Sequence, residues 1–188
     1  MFFQNRLKYY YCISICFLIL TFSSCTSPTA PPAPTNYLQG STYVCGDLKM
    51  KFTIPNGWNI TTDTIVNGYN VLLVGRKNTT LQFMANFSLL TGFYGSSDMN
   101  AVLDSEKISL IRNYPGATTV SSQTVIINTH SVGEFVYNYA TNGFSLTGKQ
   151  VIIINNNNLG VLTFTDLNSD YANSIIDFNN MENSIEFN

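Results

Sequence analysis

The sequence predicts an α+β fold built on an antiparallel sheet, and three observations predict it. Segments of two-residue alternation fill most of the chain from Tyr43 onward. Two stretches repeat instead with a helical period, and Gly, Pro and Asn clusters punctuate the boundaries. Strands grouped around one helix and closed by a second helix give an α+β domain rather than a series of βαβ units.

Each element follows from its residues. In KMKFTI (49–54), Met50, Phe52 and Ile54 alternate with Lys49, Lys51 and Thr53, the pattern of a half-buried strand. Pro55-Asn56-Gly57 reads as a turn, after which Trp58-Asn59-Ile60-Thr61 resumes the extended pattern. Strands over 69–76 and 80–90 flank Lys77-Asn78-Thr79, which suggests a hairpin. Asp98 is placed to accept from the free amides of a first helical turn. Met99, Val102, Leu103, Leu110, Ile111 and Tyr114 then share one helical face, and Pro115-Gly116 ends the pattern. Strands are expected over 118–127, 132–140 and 145–155, with Leu159 to Thr165 pairing back across the Asn155–Asn158 run. A second helix is expected over about Tyr171–Ser184, capped by Asp170, with Tyr171, Ile175, Phe178, Met181 and Ile185 inward. Phe135, Tyr137 and Tyr139 share one strand face and read as core.

The 188 residues fit one domain with an appendage, and only 11% are charged. Asn, Ser and Thr supply the polarity that charge usually would. Beyond Arg6 and Lys8, seven basic side chains face eleven acidic ones, and no Lys or Arg follows Lys149. A nucleic-acid partner needs a basic footprint to displace counterions from phosphate, so that class is excluded.

The N-terminus has its own logic. Residues 1–8 are basic, and Tyr9 to Phe22 form an uncharged apolar run that ends in small residues. This is the order of a secretory signal, and the run is shorter than the roughly 20 residues that span a bilayer. Phe22-Ser23-Ser24-Cys25 resembles the lipobox of bacterial lipoproteins, with Phe22 departing from the usual aliphatic residue. The resemblance implies a lipoprotein-type signal over 1–24 and a diacylglyceryl group on Cys25, a membrane anchor. Ordinary cleavage nearby, at Ser24-Cys25-Thr26, is the alternative and would give a secreted protein. Thr26 in place of Asp lacks the inner-membrane retention signal of some such lipoproteins. Residues 25–42 read as a Pro/Ser/Thr-rich tether, and residues 43–188 as the domain. At about 3.1 Å per residue, the proline tract could hold the domain about 30 Å from a membrane.

Several segments together resemble the PsbP-like family. They are Ile54-Pro55-Asn56-Gly57-Trp58, Asn113-Tyr114-Pro115-Gly116-Ala117 and Gly133-Glu134-Phe135-Val136-Tyr137. The hairpin from Thr147-Gly148-Lys149-Gln150 to Leu162-Thr163-Phe164-Thr165, with its terminal helix, belongs to the same set. The similarity covers most of 43–187 and rests on the order and spacing of these segments. It implies an antiparallel sheet sandwiched by helices, as in extrinsic photosynthetic subunits and DcrB-like bacterial lipoproteins. These are mostly binding and assembly modules rather than enzymes. It therefore implies a lipid-anchored, non-catalytic module of the bacterial cell envelope that binds or assists a protein there. A secreted small-ligand binder with a cleft between sheet and helix is the alternative.

No catalytic, cofactor or metal constellation is legible. His130, the only histidine, falls in an apparent turn with Glu134 as the nearby acid and no nucleophile to serve. Cys45 reads as a small apolar strand residue. Neither a histidine pair nor a C-x-x-C motif nor an acidic calcium loop is present. Phe93 and Tyr94, between Gly92 and Gly95, are the best candidates for a partner-binding loop, because amphipathic rings anchor contacts well.

Overall fold

The structure is a computed structural model that describes residues 35–66, 69–77, 83–93, 98–155 and 157–188. A seven-stranded antiparallel sheet forms its centre. Its strands are β4 (Trp58–Val66), β5 (Tyr69–Lys77), β6 (Asn86–Phe93), β7 (Thr118–Ile127), β8 (His130–Thr141), β9 (Phe144–Asn155) and β10 (Asn158–Leu167). They lie in the order β4-β5-β6-β10-β9-β8-β7. Helix α1 (Met99–Asn113) covers one face, and helix α2 (Tyr171–Asn183) covers the other. A small second sheet, β1 (Asn36–Gln39), β2 (Thr42–Cys45), β3 (Met50–Thr53) and β11 (Glu186–Phe187), lies beside α2. The fold is thus α+β, a sheet sandwiched by helices, as the sequence implied.

Alternation along the strands builds two cores, one on each face. Tyr43, Met50, Phe52, Leu89, Phe164 and Phe178 pack between the sheet, the small sheet and α2. Val102, Leu103, Leu110, Phe135, Ile152 and Val161 pack beneath α1. The close seat of α1 depends on Gly133, where an added Cβ would lie 2.8 Å from Met99 Sδ. Trp58 packs on Phe87 with ring centroids 5.0 Å apart, and its indole donates to Asp177 at 3.2 Å. Lys77 pairs with the same carboxylate and lies over the Trp58 ring.

Several sequence expectations need correction. The expected hairpin pairing of β5 with β6 is present, but β6 begins at Asn86, later than the strand expected from 80. Residues 80–82 and the expected Asn78-Thr79 turn lie outside the described residues. Asp98 caps α1, accepting from the Asn100 and Ala101 amides, but Asp170 makes no side-chain cap on α2. Asp166 instead ties the side chain of Ser174 on α2, accepting from its Oγ at 2.5 Å and from the Leu167 amide before the helix. Ile111 is 57% exposed, whereas Glu106 occupies the inward face of α1. Asn36–Gln39, expected within the tether, pairs with β2 as a strand. The small sheet as a separate layer was not expected. Asn155 and Asn158 secure it by donating to the carbonyls of Leu48 and Asp47.

Candidate functional site: a polar cleft beneath the first helix

Most of the side chains noted in the sequence for chemistry have structural partners. Cys45 is fully buried on β2, and burial raises its thiol to about 11, so the thiolate is scarce near neutrality. The His130 ring stacks on Phe187 with centroids 4.0 Å apart, and its Nδ1 lies 3.1 Å from the Asn128 carbonyl. Glu134 faces elsewhere, accepting from Lys149 at 2.8 Å and from Gln123 at 2.6 Å. The structure therefore does not bring His130 and Glu134 together as a pair. The Tyr94 residue, the Phe93 side chain and Cys25 lie outside the described residues, with only the Phe93 backbone seen at the end of β6.

Lys149 projects to the α2 face and is held by three acceptors. They are Glu134, Glu182 at 2.5 Å and Asn179 Oδ1 at 3.2 Å. Burial pushes Glu182 up to about 7 against the opposing effect of Lys149. For Glu134, burial acts upward, but hydrogen bonds from Lys149 and Gln123 outweigh it and hold the carboxyl below its ordinary value. One ammonium is shared by two carboxyls, and the more deeply buried one keeps its proton more readily.

The opposite face carries the group that sequence reasoning missed. Between α1 and strands β6, β8, β9 and β10 lies a cleft of about 110 Å³. Glu106 enters it from α1 because position 106 falls between Leu103 and Leu110 on the inward stripe. Gln150 enters from β9 because alternation sends it opposite to its neighbours Lys149 and Val151. Glu106 is 5% exposed, and burial raises its carboxyl to about 7 despite a hydrogen bond from Gln150. Among the described residues, no Lys, Arg or His lines the cleft.

The remaining lining is mostly aromatic and hydroxylic, with Leu90, Leu110 and the Asn113 amide completing it. The Tyr114 and Tyr139 rings meet at 4.5 Å, and Tyr137 packs against Tyr139 at 5.6 Å. Burial holds the Tyr137 phenol far above its ordinary value, with Tyr139, Tyr114 and Glu106 adding to the effect. Among the described residues, two buried acceptors here have no hydrogen-bond donor, Gln150 Oε1 and Asn113 Oδ1. Chemically the cleft sets one carboxyl and two amide oxygens among hydroxyl groups that can donate or accept. The Leu103–Glu106–Leu110 spacing was the available signal, a carboxylate inside a stripe otherwise apolar.

No family model and no curated protein sequence matches this chain. Solved structures do match in shape. The solution structure of cyanobacterial PsbP (CyanoP) from Synechocystis sp. PCC 6803 has a TM-score of 0.61 at 12% identity, covering 87% of this chain and 98% of that one. LpqN of Mycobacterium tuberculosis, described as involved in cell envelope biogenesis, has a TM-score of 0.54 at 15% identity, covering 72% of this chain and 81% of LpqN. A Bacteroides thetaiotaomicron protein has a TM-score of 0.53 at 16% identity, covering 80% of this chain and 49% of its own. At such identities the likeness is one of fold, and the fold it gives is the PsbP-like α/β/α sandwich.

Proposed function

We propose that this chain is a lipid-anchored, extracytoplasmic, non-catalytic module that binds a protein of the bacterial cell envelope. The observation that carries the reading is the open edge at β7. Among the described residues its outer side has no strand neighbour. Its ten residues, TTVSSQTVII, include neither a charge nor a proline. Edges are usually blunted by such residues or by bulges. The irregularity between Thr119 and Ser121 leaves Ser121–Ile127 in regular register. The opposite edge, β4, carries Asp63 at a left-handed φ of 49°, which interrupts it. The partner is an extended segment that adds a strand to β7, with exposed Ile126 giving apolar contact. The anchor rests on Cys25 and the signal before it, and the likeness in fold to LpqN, described as involved in cell envelope biogenesis, supports the location.

The test places a photo-crosslinking residue at Thr124, or at Ile176 on the outer side of α2, and irradiates native membranes. The expected result is one discrete adduct from Thr124 that is absent from Ile176 and lost when Ser122→Lys is added. Equal adducts from both positions, or none, would overturn the edge as the docking surface. Mass spectrometry of the mature N-terminus checks the anchor independently: an unmodified terminus beyond Cys25 removes it.

The Glu106 cleft favours a second reading, a small-ligand binder.

A further inference from the structure

We infer that the cleft beneath α1 binds a small primary ammonium compound, whose N–H donors are taken by the Glu106 carboxylate, Gln150 Oε1 and Asn113 Oδ1. The inference rests on the second reading above and adds the ligand class. Gln150 is 8% exposed, lines the cleft and leaves its carbonyl oxygen without a donor. Buried acceptors are normally satisfied, so a donor-bearing guest fits where the described residues supply none. An anion would meet a carboxylate and two bare oxygens. A neutral polyol would satisfy the amide oxygens but bring no positive charge to offset Glu106 once it ionises.

The same protein displays the required chemistry on its other face. Lys149 Nζ is held there by Glu182 at 2.5 Å, Glu134 at 2.8 Å and the amide oxygen of Asn179 at 3.2 Å. Carboxyl and amide oxygens around one ammonium are the chemistry that the cleft would repeat with a guest. Phe135, Tyr137 and Tyr139 line the cleft and give it aromatic walls. A hard metal ion is a poorer fit, since calcium takes about six to eight oxygen ligands and a single carboxylate enters here. The volume of about 110 Å³ equals only a few waters at about 30 Å³ each, so the guest, or the part of it that enters, is small.

Titrating the full chain with ethanolamine hydrochloride at about pH 8, followed by amide chemical shifts, tests the inference. Shifts at Glu106, Asn113 and Gln150 should saturate in the millimolar range, as expected for so few non-hydrogen atoms. Glu106→Gln should weaken binding by about tenfold or more. Asn113→Ala, at a half-buried position, gives the same readout at smaller size if the first variant fails to fold. Ethylene glycol, the neutral analogue, should bind markedly less. If it binds as well as ethanolamine, the ammonium assignment falls while a ligand cleft survives; if neither compound shifts these amides, both fall. Ethanolamine binding that folded Glu106→Gln and Asn113→Ala both leave intact also overturns the assignment. Vesicles of phosphatidylethanolamine that compete with free ethanolamine would assign the ammonium to a lipid headgroup, and failure to compete would assign it to a free amine.

Discussion

Gly148 and Glu106 carry the sharpest consequences of single side chains. A Cβ at Gly148 would lie 2.5 Å from Tyr137 Cζ, inside any real contact distance. The Tyr137 ring is buried against Phe135 at 5.1 Å and Tyr139, so it has little room to withdraw. Gly148→Ala should therefore destabilise the fold by about 1–3 kcal/mol, the range for overpacking a filled core, read by urea denaturation. A variant as stable as the parent would mean that Tyr137 yields freely. Glu106 shows what a residue's place in a pattern can disclose. Its position between Leu103 and Leu110 marks it as inward, and the buried carboxyl follows from that spacing. The same pattern misplaces Ile111, because an apolar residue on a helix rim need not be covered.

At the scale of elements, the two helices begin differently although Asp precedes each. The Asp98 carboxylate accepts from Asn100 N at 3.0 Å and Ala101 N at 3.3 Å, while Asp170 has helical backbone angles and caps nothing with its side chain. Asp98→Ala should cost about 1 kcal/mol, and Asp170→Ala a few tenths at most, in paired chemical denaturation. Equal losses would show that Asp170 stabilises α2 by another route. The strands were legible because their alternation is local, and β7 to β10 lie close to the expected spans. The β5–β6 connection was less so. Aromatic Phe83, which packs on Phe144 with centroids 5.5 Å apart, extends the apolar pattern of a strand that has not yet begun.

For the whole molecule, the two raised carboxyls set the response to pH. Glu106 and Glu182 lie on opposite faces, each held at about 7 against an ordinary 4.5 chiefly by burial. A carboxyl with a raised folded-state value binds more protons folded than unfolded, so its stabilisation is full below about pH 4.5 and is lost as pH rises through about 7. Tyr114, Tyr137 and Tyr139 are the titratable neighbours of Glu106, whereas Lys149 and Glu134 face Glu182. The protein should melt several degrees lower at pH 8 than at pH 5.5, with about 2 kcal/mol at stake for Glu106 alone between those two values. Glu106→Gln should remove part of that slope and raise the melting temperature at pH 8. An unchanged profile in the variant would show that Glu106 ionises freely.

The sequence by itself determined the class of fold, the strand and helix periods, the α1 cap and the low charge that excludes a nucleic-acid surface. These are properties of neighbours a few residues apart, and local sterics and alternation are enough to express them. Tertiary structure alone decided which strand stands at the open edge and which side chains meet. Strand order places β10 between β6 and β9, so Thr163 and Thr165 come to line the same cleft as Ser88 and Gln150. It also carries Lys149 to Glu182, 33 residues away. Burial then does what no periodicity encodes: it removes water from Glu106 and Glu182, and the cost of an unsolvated charge turns ordinary carboxyls into groups that titrate near neutrality.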